Sequence, residues 1–182
     1  NVKEDGNLDL YNGYYILKML YFFDKKYDIV YPQEFYLKTL QYCNIFGSVD
    51  ENIEFIKNRI NDDSQFNQKI IHNLNNELLD DSSLKDHIDY AIENKLKDSY
   101  QKIGDCILSD RYIYSQKDFL LRFTELLPKH EQIAFLKECC NDINSYLCWK
   151  AVDVFIKKDL DNSFILNIAK EYLSGESKNF IS

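Results

Sequence analysis

Few of the chemically reactive side chains in this sequence stand at spacings that would build a catalytic or metal site. The three histidines are His72, His87 and His130, and none has a His or Cys three or four residues away. A helical metal pair requires that spacing, because such residues share a helix face. We therefore predict no metal site. Asp86 and Asp89 flank His87, and we interpret the group as surface charge on the first turn of a helix.

The cysteines indicate buried thiols rather than a disulfide framework. Their number is odd, and they are Cys43, Cys106, Cys139, Cys140 and Cys148. Cys139 and Cys140 lack the two-residue gap of zinc knuckles. A metal site formed by them and Cys148 would lack a fourth ligand. We interpret the cysteines as small apolar residues of a core. Such a set fits a reducing compartment, so we predict a cytoplasmic protein.

The motifs of nucleophilic and phosphate-binding enzymes do not occur in the sequence. There is no Gly-x-Ser-x-Gly elbow, and the five glycines are too far apart for a phosphate-binding loop. The carboxylate pairs Asp62–Asp63 and Asp80–Asp81 stand beside serines, where helix capping explains them. We predict a protein that is not an enzyme and has no catalytic, cofactor-binding or metal-binding residues. An enzyme whose site is assembled from distant residues is an alternative.

The composition is that of a helical globular protein. Of its 182 residues, 45% are hydrophobic and 29% are charged, with only five Gly and two Pro. The turns of sandwiches and barrels use Gly and Pro, so their scarcity predicts helices joined by short polar loops. The apolar spacing predicts about ten short helices. We expect an all-α fold of antiparallel hairpins stacked as an α-solenoid, with an irregular globular bundle as the alternative.

The chain shows no linker rich in Gly, Pro or Ser. We predict one helical domain over residues 8–175, between an entry at 1–7 and a tail at 176–182. A sub-boundary is best placed near residues 109–114. The chain does not begin with Met, and its only methionine is Met19, so we expect it to be part of a longer polypeptide.

The charge of the chain excludes some classes of partner. The formal net charge is −8, and the three arginines are scattered. A nucleic-acid binder needs clustered Lys and Arg, so we predict no binding to nucleic acid. The longest apolar run, Tyr14 to Phe23, is interrupted by Lys18 and is too short to span a membrane. The acidity would suit a basic protein partner, and an ordinary solvated surface explains it equally.

Several residues predict where helices begin, end or bend. Pro32 predicts a helix start at its first position, and Asp161 or Asn162 predicts the cap of the last helix. The third helix is expected to run to about Asn61. Gly104 predicts either a bend or a close packing contact.

A twelve-residue stretch recurs along the chain. Glu51–Asp62 returns as Glu131–Asp142 with six identical positions, and a fainter copy begins at Asp86. The starts are spaced by 35 and 45 residues, intervals that fit helical-hairpin repeats. Phe55 and Phe135 are equivalent in the two copies. We expect both to be core residues whose replacement by Ala would cost about 3–5 kcal/mol.

Residues 126–155 resemble a HEAT-type repeat, which has a Pro in its first helix region and an Asp before a second helix with small apolar positions. The matching residues are Pro128, Asp142, Leu147, Ala151 and Val154. Cys148 departs from the pattern, because a basic residue usually follows the Leu or Val position. The resemblance implies a HEAT-like α-solenoid that presents a concave surface to a partner.

Two features are candidates for a binding surface. The first is a concentration of aromatic residues, which either forms an interface or packs in the core. Its members are Tyr11, Tyr14, Tyr15, Tyr21, Phe22, Phe23, Tyr27, Tyr31, Phe35 and Tyr36. The second is the acidic stripe Asp86, Asp89 and Glu93, which we interpret as a solvated helix face. Trp149, the only tryptophan, is expected in the core.

These observations favour a non-catalytic, intracellular protein-binding scaffold or regulatory domain. The first alternative is an acidic immunity or inhibitor protein that neutralises a basic partner. The second is an unrecognised helical enzyme. In each case we predict no cofactor, and a protein partner in the first two.

Overall fold

The computed structural model describes residues 10–40, 49–76, 79, 81–109, 119–141 and 145–174. These residues contain α-helices, short turns and no strand, so the all-α prediction is confirmed. Ten α-helices are found in them, as the apolar spacing predicted. The predicted entry at 1–7, the tail at 176–182 and the positions 110–114 of the predicted sub-boundary lie outside the described residues.

The contacts divide the chain into two compact units, Asn1–Ser99 and Tyr100–Ser182. The first unit contains α1 (Leu10–Tyr27), α2 (Gln33–Thr39), α3 (Val49–Lys57), α4 (Asp63–Asn76) and α5 (Asp81–Glu93), followed by a 3-10 turn at Lys97–Ser99. The second contains α6 (Tyr100–Leu108), α7 (Leu120–Thr124), α8 (Lys129–Cys140), α9 (Ser145–Lys158) and α10 (Asn162–Ser174). Each unit thus has five helices among the described residues. A single domain over residues 8–175 stays a prediction.

Carboxylates begin two of the helices. Oδ1 of Asp62 accepts the backbone N–H groups of Ser64 at 2.9 Å and Gln65 at 3.2 Å, which satisfies donors at the start of α4. Oδ1 of Asp161 accepts the N–H of Phe164 at 3.1 Å and caps α10 as predicted. Pro32 lies immediately before α2 rather than within it, with φ −55° and ψ 140°.

Two helices of the described part of the chain, α5 and α9, end without glycine. Lys95 and Asp159 adopt left-handed conformations, with φ of 54° and 49°. The next residues then hydrogen-bond back, from Leu96 N to Ala91 O at 2.9 Å and from Leu160 N to Phe155 O at 3.2 Å. These are the bonds of Schellman motifs.

Two of the predicted helix boundaries need correction. The third helix ends at Lys57, not near Asn61, because the chain turns at Asn58 and Arg59 before Ile60 enters the core. The α6 helix continues through Gly104 without a break, so the predicted bend is wrong and the predicted packing contact is correct.

Each unit has its own apolar core. In the first unit, α5 packs on both α3 and α4, and the wholly buried side chains include Ile56, Phe66, Ile70 and Ile88. In the second unit, α9 packs on α7, α8 and α10. The buried side chains there include Ile103, Leu136, Leu147 and Phe155. The two halves of the HEAT-like stretch, α8 and α9, are therefore packed neighbours.

The two motif copies place their phenylalanines in similar surroundings. Phe55 lies on the third helix of its unit and contacts the ring of Tyr36 on the preceding helix, with centroids 6.0 Å apart. Phe135 lies on the third helix of the other unit and contacts Phe123 on the preceding helix at 5.4 Å. Both phenylalanines are half-buried rather than wholly buried.

Lys57 and Lys137, which stand two residues after these phenylalanines, also have similar surroundings. The ammonium of Lys57 lies 5.4 Å from the ring centre of Tyr90 on α5, the fifth helix of the first unit. That of Lys137 lies 4.8 Å from the ring centre of Phe164 on α10, the fifth helix of the second unit. Two of the five pairs of helices at matching positions also agree in length, since α4 and α9 each have 14 residues and α5 and α10 each have 13.

We expect Phe55→Ala and Phe135→Ala to lower the free energy of unfolding by similar amounts, about 2–3 kcal/mol each. This lies below the cost for a wholly buried Phe because each ring keeps part of its surface in water. Urea unfolding at constant m-value measures both changes. Phe22→Ala, at a more exposed ring, is the control and should cost under about 1 kcal/mol. A cost above about 2 kcal/mol at one site and below about 1 kcal/mol at the other would show that the positions are not equivalent.

Candidate functional site

Seven of the exposed apolar side chains in the described residues lie on α1, the connection to α2 and the first turn of α2. Tyr15, Met19 and Phe22 are 57%, 56% and 49% exposed. They stand at i, i+4 and i+7, so they share one face of the helix. The set, which we call the aromatic face, consists of Tyr15, Met19, Phe22, Tyr27, Ile29, Val30 and Phe35. Part of the predicted aromatic concentration is therefore exposed, while Tyr36 is wholly buried.

The rings of the aromatic face support one another. Phe22 contacts Phe23 and Tyr27, with centroids 5.5 and 6.2 Å apart. The ammonium of Lys26 lies 5.1 Å from the ring centre of Phe22 and 5.2 Å from that of Tyr27. These contacts hold the rings in place and put one ammonium group beside them, although the chain as a whole is acidic.

A buried carboxylate anchors α1 from the other side. Asp24 is 3% exposed. Nε of Arg59 donates to its Oδ2 at 2.5 Å, and Nη2 of Arg59 donates to Oδ1, so the pair is bidentate. The hydroxyl of Tyr36 also donates to Oδ2 at 3.2 Å and accepts the N–H of Tyr31 at the same distance. The network joins α1, α2 and the end of α3.

The electrostatics of this network are those of a structural ion pair. The hydrogen bonds from Arg59 lower the pKa of Asp24 below its ordinary value and outweigh the opposing effect of burial. Burial raises the pKa of Tyr36. At neutral pH the carboxylate is therefore ionised and the phenol is neutral. Neither group is poised to exchange a proton with a substrate.

The predicted acidic stripe is only partly solvated. Asp86 is 1% exposed, so the expectation of a solvated face is wrong for this residue. The error arises because α5 packs against two helices, α3 and α4, and has a wider buried surface than a single apolar stripe needs. Asp89, Glu93 and Glu54 line a groove of about 590 Å³ between α3 and α5. Lys57 also lines this groove, whose lining is nevertheless mainly acidic.

His87 is wholly buried, and the expected surface position is wrong. Nδ1 donates to the carbonyl oxygen of Ser83 at 2.6 Å, which assigns the proton to that nitrogen and leaves Nε2 to accept from Nδ2 of Asn73 at 3.1 Å. The buried position of His87 could have been predicted from the sequence. His87 lies three residues after Leu84 and four before Ala91, which places it on the apolar face of α5.

The remaining histidines do not assemble a site. His72 and His130 are exposed, and none of the three histidines lines the groove between α3 and α5 or the two smaller grooves described below. His130 lies 3.6 Å from Glu131, its neighbour along the chain.

The cysteines of the second unit are buried free thiols, as predicted for Cys106, Cys139, Cys140 and Cys148. A hydrogen bond with Cys148, together with burial, raises the pKa of Cys140. A thiol kept protonated is a poor nucleophile and a poor metal ligand. Within the described ranges, no three His, Cys, Asp or Glu side chains are grouped as a metal site. Cys43 lies outside the described residues.

Trp149 is 53% exposed, so the expected core position is wrong. The α9 helix turns Leu147, Ala151 and Phe155 into the core, and this leaves Trp149 on the opposite face with Ile156. The spacing of seven residues between Trp149 and Ile156 indicates that shared face. Because α9 has apolar residues on both sides, its sequence does not show which side is buried.

No helix in the described part of the chain is both long and apolar enough to cross a bilayer. No protein-family model matches the chain, and neither the curated proteins nor the solved structures include a match. Functional inference therefore rests on the surfaces of this chain itself.

We expect Asp24→Asn to lower the free energy of unfolding by about 2 kcal/mol at neutral pH. Loss of one partner from a buried pair costs roughly 3–5 kcal/mol, and the cost is reduced here because the Arg59 side chain keeps 30% of its surface in water. The folded-state pKa of Asp24 lies below its ordinary value of 3.8. The contribution of the ion pair is therefore complete above that pH and is lost as the pH falls through the folded-state pKa.

Urea unfolding over a pH series measures this effect. The difference in stability between the two proteins should shrink below about pH 4. The exposed ion pair of Asp153 and Lys157 provides the control, since Asp153→Asn should cost under about 1 kcal/mol. A difference between wild type and Asp24→Asn that stays constant through the acid range would contradict the assigned ion pair.

Proposed function

We propose that this chain is a non-catalytic protein-binding scaffold or regulatory domain that acts in the cytoplasm. The observation that carries the proposal is the aromatic face on α1 and the α1–α2 connection. Aromatic residues and Met are enriched at protein interfaces, and this face has four aromatic side chains and Met19 in one exposed set. The four buried free thiols support a reducing compartment.

The size of the aromatic face supports the same conclusion. An aromatic side chain has roughly 150–250 Å² to bury, and about half of each exposed ring of this face is in water. The seven side chains then offer on the order of 600 Å², the upper end of the largest apolar patch on a typical monomer. A standard interface buries about 800 Å² on each partner. The face therefore supplies most of one side of such an interface.

The arrangement of helices supports a repeated scaffold. Phe55 and Phe135 contact the preceding helix of their units, and Lys57 and Lys137 lie over rings of the fifth helices. We propose that the repeating unit is the set of five helices, with a period of about 80 residues, rather than a hairpin of 35 or 45. The HEAT-like character of residues 126–155 is part of this proposal. Repeat scaffolds of this kind bind partners through extended surfaces.

The second candidate is an acidic inhibitor that neutralises a basic partner. The groove between α3 and α5 favours it, because Glu54, Asp89 and Glu93 outnumber the single cation Lys57 in its lining. An enzyme is disfavoured by the placement of the histidines, since His87 is enclosed and the other two stand apart from these carboxylates.

Affinity capture tests the scaffold function and its surface together. The full chain, a Met19→Ser/Phe22→Ser variant and a Leu173→Gln variant serve as baits in lysate of the source cells, with quantitative mass spectrometry of the retained proteins. Leu173 is the matched control, because it is an exposed apolar residue of another helix. We expect the same protein to be retained in stoichiometric amount by wild type and control, and at least about tenfold less by the double variant.

Two results would contradict the proposal. Equal retention of the partner by all three baits would show that the interface does not lie on the aromatic face. Retention of no protein by baits that circular dichroism shows to be folded would argue against a scaffold for a separate partner.

A further inference from the structure

A groove of about 270 Å³ lies between α6 and α8 in the second unit. Its apolar lining consists of Tyr100, Gly104, Leu108, Phe123, Leu127 and Phe135. Phe123 closes the floor, since it is 2% exposed and its ring contacts those of Tyr100 at 5.8 Å and Phe135 at 5.4 Å. We call this the α6–α8 groove.

Gly104 gives the groove its depth. A Cβ atom at this position would lie 3.3 Å from Cε2 of Phe135 and 3.8 Å from Cε1 of Phe123. Glycine inside a helix costs roughly 0.5–1 kcal/mol relative to Ala, and the α6 backbone needs no left-handed conformation there. The absent side chain therefore serves the close approach of the rings and the open space above them.

The rim of the groove is acidic. Among the residues that the structure describes, the charged side chains lining it are Asp105 on α6 and Glu131 and Glu138 on α8. Oδ1 of Asp105 accepts a hydrogen bond from Nε2 of Gln101 at 2.9 Å, so this carboxylate is held in place. An apolar floor below three carboxylates suits a ligand that is both cationic and apolar.

A groove in the first unit, between α1 and α3, has a lining of mixed charge. It includes Tyr21, Phe55, the cations Lys25 and Arg59 and the carboxylate of Glu54. Tyr21 and Lys25 stand four residues apart on the first helix of their unit, as Tyr100 and Gly104 do on theirs. In the second unit the position of Lys25 is thus taken by Gly104, and that of Asn58, which follows the end of the third helix, by Glu138. These differences make the α6–α8 groove more acidic than the groove between α1 and α3.

The dimensions of the groove suit side chains of a partner protein. Small-molecule pockets span about 300–1,000 Å³, so 270 Å³ accommodates one or two side chains rather than a cofactor. Glu131 and Glu138 are seven residues apart on α8, a distance of about 10.5 Å along the helix axis. Basic residues at i and i+7 of a second helix have the same separation. Apolar residues at i+3 and i+4 lie between them on the same face.

We propose that the α6–α8 groove binds a basic amphipathic helix of a partner protein. Lys or Arg residues at i and i+7 of that helix pair with Glu131 and Glu138, and the apolar residues between them contact the ring of Phe135. The partner helix lies over the groove and inserts side chains only. The proposal rests on the scaffold function for its kind of ligand, but the groove shares no residue with the aromatic face.

A pair of isomeric peptides tests this geometry. Each is a fluorescein-labelled, capped helical peptide of about 15 residues, with two Lys and two Leu in a background of Ala and Gln. One places Lys at i and i+7, and the other at i and i+5. The peptides have the same charge, but only the first matches the spacing of Glu131 and Glu138. Fluorescence anisotropy against the full chain measures both affinities, and we expect the first to be at least about tenfold tighter, or about 1.4 kcal/mol.

Variants of the groove make the test specific. Glu131→Gln/Glu138→Gln should abolish the preference between the peptides. Glu34→Gln/Glu171→Gln changes the net charge equally at exposed sites elsewhere and should preserve it. Gly104→Leu should weaken the matched peptide by filling the floor, with urea unfolding as the check on its fold. Equal affinity of the wild-type chain for both peptides would show non-specific attraction to an acidic chain and overturn the proposal. The same holds if the control double variant loses the preference between the peptides to the same extent as Glu131→Gln/Glu138→Gln.

This outcome is separable from that of the capture experiment. A preference for the matched peptide alongside failed capture would retain the groove and contradict the aromatic face as an interface. Successful capture without a peptide preference would retain the scaffold function and contradict the groove.

Discussion

The ion pair of Asp24 and Arg59 is the constraint on which the first unit depends. On α1, Leu20 and Asp24 are buried and stand four residues apart. The bidentate pair with Arg59, together with the hydroxyl of Tyr36, attaches this side of α1 to α2 and to the end of α3. Because α1 is fixed through a polar group on one side, its opposite side can keep Tyr15, Met19 and Phe22 in water. The aromatic face is thus a consequence of how α1 is anchored.

The second unit is held together differently. Aromatic packing around Gly104 joins α6, α7 and α8, and the ion pair of Lys137 with Asp161 joins α8 to the start of α10 at 2.8 Å. Asp161 also caps α10, and its hydrogen bond with Lys137, aided by those from Ser163 and Phe164, lowers its pKa to about 2. One carboxylate therefore orients a helix and ties it to a neighbour. Close ring packing, rather than a buried charge, shapes the groove of this unit.

The sequence predicted those features that depend on neighbours along the chain. Asp161 as a cap and the start of a helix after Pro32 follow from interactions within one turn, so local pattern was sufficient. The recurring twelve-residue stretch begins within α3 in one copy and within α8 in the other, and the correspondence of these two helices stays a prediction. The pair Asp24 and Arg59 left no such signal, because its members are 35 residues apart and nothing in the sequence relates them.

The three wrong predictions of burial share one cause. His87, Asp86 and Trp149 lie on helices with apolar residues on more than one side, and composition does not tell which side meets a neighbouring helix. His87 was assigned to the surface by its polarity, although its spacing from Leu84 and Ala91 matched the core. Trp149 was assigned to the core by its size. Tertiary packing, which decided these positions, is set by the other helices of the unit.

The two candidate surfaces differ in the physics of recognition. Carboxylates at the rim of the α6–α8 groove attract a basic segment from a distance, within a Debye length of about 8 Å at physiological ionic strength. The aromatic face attracts a partner only on contact, through removal of its rings from water. Its Lys26 opposes the charge of the rest of the chain, so it favours a partner that is not strongly basic at that point. If the chain is the proposed scaffold, the two surfaces favour different partner segments, a basic one at the groove and an apolar one at the aromatic face.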